Sequence, residues 1–568
     1  MLRIFILFSL YCNSLLLPAI SLAQTIDWAS RLGGTHWDES ADLLLSPAGD
    51  ALFVAGMVSD TISWQNGSSL ATHGSGDFWI ARYDNNGTPI WMQSGGGRTD
   101  DRFNAVALSP AVDAVYAAGQ VRDTLVLGAD SIKTDGLFAD DPIVVKYNAQ
   151  NGNLLWQRHW KGIGIATARS IATDAIGNVY VGIVFEDSIF VQTDSLAALG
   201  SSDILLLKLN ADGVLQWYRQ FGGIGADVVS DMAVAPDGSL YLGGYFQKTA
   251  IWGSTTLLAA DENDLLMARI DPNGNVLWAK REGGEYAESI STIALTQQGN
   301  VYWAGSFNLQ TQIGDSTLST NEGIAATLLL QTDSLGNITW VRQSNGVISG
   351  ATGICADSAG NAYLSGYFIE NIQFGNHSLT ATGSTELFVV RYSPNGEAQW
   401  LRGIAAAQNS DFNQAAAVQV DAIGKCYVTG RYFGLLNTDS DELPSIGFAD
   451  IFLLQLSQPL IISVKPIPTT AIPNATLSAS YDGQGQLIAR YSYQPSTQHT
   501  NNAQIAIYNT YGQLIAVQNL PPPLSIAYPN LQSTTIALPS ALPPGIYIVS
   551  LQHAGQIAKS ISTFIGKH

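Results

Sequence analysis

The chain alternates between short apolar runs and polar turns. Two of the clearest runs are Asp203-Ile-Leu-Leu-Leu-Lys-Leu209 and Asp264-Leu-Leu-Met-Ala-Arg-Ile270. Such runs are too short for helices, and β-branched, aromatic and aliphatic residues dominate them, so they predict strands. Several are apolar at every position rather than at alternate ones. Both faces of such a strand must be covered, as for a central strand between neighbouring sheets. Each run is followed by a turn and then a tryptophan, as in Asn210-Ala-Asp-Gly-Val-Leu-Gln-Trp217 and Asp271-Pro-Asn-Gly-Asn-Val-Leu-Trp278. Asp-Gly and Asn-Gly tolerate positive φ, so these turns predict hairpins.

The pattern repeats. Trp28, Trp91, Trp156, Trp217, Trp278, Trp340 and Trp400 are separated by 63, 65, 61, 61, 62 and 60 residues. A second landmark, in a G-N-x-Y-x-x-G-like segment, places Phe53, Tyr116, Tyr180, Tyr241, Tyr302, Tyr363 and Tyr427 in step with them. The third landmark is the apolar run, opened by Asp77, Asp141, Asp203, Asp264, Ala326, Glu386 and Asp450. Each unit therefore predicts about four strands, and seven such units predict an all-β, seven-bladed β-propeller. Its phase is offset. The chain starts with a Trp strand, Thr25–Arg31, and the last unit ends on its apolar strand, so these two are expected to pair and close the ring, which removes exposed edges. The seven tryptophans are expected to be structural.

These residues resemble the seven-bladed propeller repeats of secreted bacterial proteins over roughly residues 24–458. The shared pattern is W, then G-G, then D-x-x-G-N-x-Y-x-x-G, then the D-led run. Gly33-Gly34, Gly222-Gly223 and Gly283-Gly284 keep the paired glycines; units six and seven do not. That family has no uniform activity. The turn-then-Trp element is also similar to quinoprotein propellers, but adjacent cysteines and an eighth blade are missing.

Composition adds compartment and charge. Residues 1–23 read as a secretory signal, with Arg3, an apolar stretch and a small-residue cleavage site between Ala23 and Gln24. No second long apolar run follows, so no transmembrane segment is expected in the mature chain. Cys355 and Cys426 are expected as buried free thiols. Residues 24–458 carry a net charge of −24 and residues 459–568 of +3. An acidic body argues against nucleic acid as a partner.

Periodicity stops near Ser457, and a proline-rich linker, 459–470, leads to a second domain, 471–568. Ala503–Tyr508, Gly512–Val517, Thr534–Leu538, Gly545–Leu551 and Ile557–Phe564 are strand-like, and a small immunoglobulin-like β-sandwich of about seven strands fits the length. Ile505-Ala-Ile-Tyr-Asn-Thr-Tyr-Gly512-Gln-Leu-Ile, Leu542-Pro-Pro-Gly545-Ile-Tyr547 and Lys559 resemble the type A C-terminal sorting domain of the type IX secretion system of Bacteroidota. The resemblance implies export by that machinery to the cell surface or medium, with the tail commonly removed. The expected Y-P-N-P opening is reduced to Lys465-Pro-Ile-Pro468.

Enzyme signatures are absent: H-E-x-x-H, G-x-S-x-G and a P-loop do not occur. No catalytic residue or organic cofactor is expected. Asp38, Asp101, Asp227 and Glu288 follow the Trp strands and are candidate ligands for Ca²⁺ on one face; solvated turn-forming acids are the plainer expectation. Asp60-Thr-Ile, Asp123-Thr-Leu and Asp187-Ser-Ile resemble a short O-glycosylation sequon, yet their shared place seven residues after the aromatic landmark points first to turn chemistry. The function expected is a secreted, non-catalytic module that binds an extracellular glycan or protein. A propeller lyase or glycosidase and a structural surface component are the alternatives.

Overall fold

The computed structural model describes residues 24–457, apart from the segments 65–68, 71, 128–129, 134–138, 321–322, 406–410 and 440–441, and then the backbone of seven strands between 476 and 565. Ala23, Gly512, residues 1–23 and the linker 459–470 lie outside the described residues. The chain divides into two compact units, one of them Ala23–Gln458. Among the described residues there is no helix, and so none long and apolar enough to cross a membrane.

The first unit is all-β and propeller-like. Its repeat is a four-stranded antiparallel sheet in simple up-down order. The fourth sheet illustrates it: Asp227–Val234, Leu240–Trp252, Thr255–Ile270 and Val276–Glu282 pair in sequence. Six sheets are continuous in the chain. In the seventh, Phe412–Val420, Cys426–Phe433 and Asp450–Leu456 are completed by Ile26–Gly33, which pairs antiparallel with Asp450–Leu456 from Ile26↔Leu456 to Leu32↔Ile451. Ser457 N–H donates to the Thr25 carbonyl at 2.9 Å where the two ends meet. The first strand of each sheet packs against that of the next, and Phe412–Val420 packs against Glu39–Leu45 of the first sheet.

The third strands explain the all-apolar runs. Ile204 to Leu207 and Leu265 to Ala268 are fully buried, because each sheet is covered on both faces. Core clusters accordingly contain residues from adjacent sheets, as where Tyr180 and Leu206 pack with Leu242 and Leu266. Cys355 and Cys426 are free, buried and share one such cluster. Burial pushes both thiols well above their ordinary range.

The repeated aromatics form one joint, seven times. In every unit the landmark Tyr or Phe contacts the Trp of the same sheet, with ring centroids 5.7–6.4 Å apart. The indole then reaches the next sheet. Trp91, Trp156, Trp217, Trp278 and Trp340 donate through Nε1 to the carbonyls of Ala149, Ala211, Pro272, Ser334 and Pro394 at 2.9–3.2 Å. Each acceptor lies in the hairpin turn before the next Trp strand, and the glycine of that turn faces the indole. A Cβ on Gly152 (φ 72°) would sit 2.8 Å from the Trp91 ring.

A short hairpin stands between the second and third strands of each unit, as in Gln310–Ile313 with Ser316–Ser319. The sequence pattern alone predicts no strand here. The residue that opens it has positive φ in all seven units: Asp60, Asp123, Asp187, Lys248, Leu309, Glu370 and Gly434, at 50–82°. The apparent sequons therefore mark a left-handed turn position, which Asp tolerates and Gly prefers.

In the C-terminal region, Thr476–Tyr481, Gln486–Ser492 and Gln532–Ala537 form one antiparallel sheet, and Leu514–Asn519, Ala503–Tyr508, Gly545–His553 and Gln556–Ile565 form another. Gly545 and Tyr547 lie on one strand of the second sheet and Lys559 on its neighbour.

Leu309 is a bulky residue held at φ 51° with 41% of its surface exposed, so little burial offsets its backbone strain. Leu309→Gly is expected to raise the unfolding free energy by about 1 kcal/mol. Chemical denaturation at constant m-value checks this.

Candidate functional site

The four acids singled out in the sequence are not solvated. Asp38, Asp101 and Asp227 have no exposed surface and Glu288 has 1%. Each stands at the start of a first strand, and its carboxylate folds back to take a backbone N–H four residues earlier. Asp38 accepts from Gly34 at 2.6 Å, Asp101 from Gly97 at 2.6 Å, Asp227 from Gly223 at 2.8 Å and Glu288 from Gly284 at 3.3 Å. Asp38 and Asp101 also accept from the N–H groups of Ser59 and Arg122, at the end of the second strand. The expectation of exposed turn acids is corrected: the loop needs an internal acceptor for its N–H groups, and packing against the adjacent sheet excludes water.

Each of these acids also faces the acid that opens the preceding third strand. The paired glycine lies between them. A Cβ on Gly222 would fall 2.6 Å from Asp203 Oδ1 and 3.1 Å from Asp227 Oδ2; one on Gly283 would fall 2.7 Å from both Asp264 Oδ1 and Glu288 Oε2. This is the reason for the first glycine of the G-G motif. Junctions without the pair keep one acid, as with Asp141 accepting from Gly162 N–H at 2.8 Å, or none: Thr327, Ser344 and Ser349 form a hydroxyl cluster at the fifth junction, with Ser344 and Ser349 Oγ 2.7 Å apart. Asn413 takes the acid's place in the seventh unit, accepting from Leu387 N–H and donating to the Ile404 carbonyl.

The four candidates thus serve four separate sheet junctions and do not converge. Among the described residues, no group of three or more His, Cys, Asp or Glu is placed to hold a metal ion. Burial is the main cause that drives the carboxyls of Asp38, Asp101, Asp227 and Glu288 up to about 7, against the lowering effect of their backbone hydrogen bonds. Facing acids add to the rise: Asp450 for Asp38, Asp77 for Asp101, Asp203 for Asp227 and Asp264 for Glu288.

The first strands converge elsewhere. Each carries a bulge at the same register, and the seven extra residues are Ala41, Asn104, Arg169, Ser230, Ser291, Thr352 and Ala416. All seven line a single cavity of about 350 Å³. A bulge re-aims side chains, which is how one residue per sheet reaches the axis. Asp42 and Asp231 also line it. Asp42 accepts from Val106 N–H at 2.9 Å and Asp231 from Ile293 N–H at 2.8 Å, so each carboxylate ties its sheet to the next.

Two residues before the bulges, the strands supply Glu39 and Arg102. Glu39 is held between two guanidiniums: it pairs with Arg102 of the second sheet and with Arg431 of the seventh, the latter at 2.6 Å. The Arg431 guanidinium lies 4.9 Å from the Trp37 ring centroid, and Trp37, 38% exposed, stacks on Phe412. Arg431 also donates to Gln414 at 3.1 Å, and Thr167 donates to Gln120 at 2.7 Å. The sequence reading missed this cluster. Its members recur at no fixed type within the repeat, so periodicity gave no signal for them.

No protein-family model matches the chain. It is 22% identical over 514 residues to an uncharacterized WD repeat-containing protein, L264, of Acanthamoeba polyphaga mimivirus, covering 73% of this chain and 36% of that protein. It is 25% identical over 281 residues to the regulatory protein FlaEY of Caulobacter vibrioides, covering 44% and 29%. The chain therefore spans about a third of these relatives' length. Among solved structures, a protein of unknown function from Bacteroides caccae superposes with a TM-score of 0.29 at 13% identity, covering 57% of this chain and 89% of that one. A Synechocystis apocarotenoid oxygenase gives 0.35 at 11%, covering 76% and 93%. Superpositions this loose carry no argument about function.

The buried acids generate a pH dependence. Their native pKa values lie above the ordinary carboxyl range, so the folded chain binds more protons than the unfolded chain between about pH 4 and 7. Stability present below pH 4 is thus lost as pH rises through about 7. The melting temperature is expected to fall across that window. Asp227→Asn should flatten the slope; scanning calorimetry from pH 4 to 8 checks both.

Proposed function

We propose that this chain is a secreted, non-catalytic binding module: a seven-bladed β-propeller closed by its N-terminal strand, followed by a β-sandwich sorting domain of the type IX type A class. One observation carries the binding reading. The frame repeats, but the residues at the axis do not. Trp and the turn glycine recur from sheet to sheet, while the bulge positions run Ala, Asn, Arg, Ser, Ser, Thr and Ala. A symmetric support thus presents an asymmetric polar surface around a concave opening, which is what selective recognition requires. The four candidate acids Asp38, Asp101, Asp227 and Glu288 sit at separate junctions, and the cavity-lining Asp42 and Asp231 each hold a backbone N–H of the next sheet.

Closure is supported by the pairing of Ile26–Gly33 with Asp450–Leu456 and by the packing of the first and seventh sheets. The export reading rests on the residue pattern around Gly512, Gly545, Tyr547 and Lys559, and on two antiparallel sheets over residues 476–565.

Two experiments test the proposal. Deletion of residues 471–568 is expected to leave the chain in the periplasm of a type IX-competent host; unchanged appearance at the surface or in the medium would sink the sorting assignment. The purified chain is expected to give specific hits on a glycan and peptide array. Hits retained in chelator place recognition at the axis, whereas hits lost in chelator assign it to a cation at the acidic junctions.

A further inference from the structure

The geometry points to an oxyanion-recognition site at the mouth of the central cavity, built from Arg102, Arg169 and Arg431, for the carboxylate or sulfate of an acidic oligosaccharide. The inference deepens the binding reading above and rests on it.

The first observation is a charge imbalance. The body of the molecule carries a net charge of −24 between residues 24 and 458, yet here two guanidiniums, Arg102 and Arg431, share the single carboxylate of Glu39, with Arg169 near Arg102; Asp42 and Asp231, which line the same cavity, are each engaged by a backbone N–H of the next sheet. The neighbouring Arg122 does not alter the count, because Asp140 takes it in a two-point pair at 2.5 and 2.9 Å. Arg169 and Arg431 both sit close enough to Arg102 to depress its basicity, after burial has done most of it. Like charges crowded on a surface rich in available acids are an arrangement that an incoming anion relieves.

The second observation is Arg169 itself. It is the sole charged residue among the seven bulge positions, it lines the cavity, and it is exposed. It makes no ion pair or hydrogen bond with any described residue. Arginine presents a rigid fork that matches a carboxylate or sulfate in two-point geometry, and here no described residue occupies that fork.

The third observation gives the remainder of the ligand. On the opposite arc of the mouth, the second strands place Tyr245 and Tyr367 at the register that Gln120 and Arg431 hold on the cationic arc. Both rings are half-buried, and Tyr367 lies over Gly350. Aromatic rings with polar tips, Ser289 nearby and arginines across the opening suit a sugar ring that bears an acid group.

The test is isothermal titration of the full chain with three oligosaccharides of equal length: a galacturonate oligomer, a sulfated oligomer and a neutral glucan. At least one acidic oligomer is expected to bind, more weakly as salt is raised, while the neutral glucan does not. Preference between the acidic two identifies carboxylate or sulfate as the group read. Arg169→Gln is expected to weaken binding about tenfold or more with the melting temperature unchanged, since the side chain is exposed and unpaired. Arg169→Lys should restore part of the loss. Equal binding of the neutral glucan, or binding indifferent to Arg169→Gln, overturns the inference while leaving a binding module intact. Failure of all three ligands together with a blank array overturns both.

Discussion

The structure depends on an indole laid across the turn of the next sheet. A four-stranded sheet with two apolar faces is unstable in isolation and needs a neighbour on each side. The Trp supplies the link: its ring covers the turn glycine of the following unit, and its N–H satisfies a turn carbonyl that would otherwise face the buried edge. In several units a second contact reinforces it. Arg158, Arg219, Lys280 and Arg342 lie on the same indoles and donate to carbonyls of the same turns, such as Gly213 and Gly396. The joint is aromatic, hydrogen-bonded and cationic at once, and it fixes the angle between sheets.

Where the pattern of donors departs, the departure follows from the offset of the repeat. Trp400 Nε1 has no partner among the described residues. The turn that would receive it belongs to the seventh sheet, where two separate stretches of chain meet at Ser457 and Thr25 and no hairpin joins them. Trp28 Nε1 also lacks one, although its ring still faces Gly87 of the first sheet. The equivalent carbonyl there, Asn85, accepts from Gln455 at 3.2 Å. The seam is therefore held by strand pairing and ring packing more than by indole hydrogen bonds.

The carboxyl pairs at the junctions show how the repeat trades charge for order. The loop after each Trp strand leaves backbone N–H groups in a buried place, and an acid satisfies them at the cost of desolvation. Facing another acid across a glycine then favours protonation of one member. Where the sequence gives Thr327, Ser344 and Ser349 instead, hydroxyls do the same work without charge. The acids were visible in the sequence as a recurring position; their burial was not. A loop acid reads as solvated until the sheet that covers it is in place.

What the sequence determined by itself is the frame. Strand runs, turn glycines, aromatic landmarks and the offset of the Trp strand are local patterns, and seven copies in step reinforce one another. Even Asp60, Asp123 and Asp187 were marked as turn residues by their shared register, and the structure added the left-handed geometry. Tertiary structure alone decided what meets at the axis. Glu39, Arg102, Arg169 and Arg431 come from four sheets and span almost the whole unit in sequence. Their juxtaposition depends on a one-residue bulge in each first strand as well as on closure of the ring. The bulge leaves no trace in the residue pattern, because a repeat encodes its support in the residues it keeps and its surface in the residues it varies.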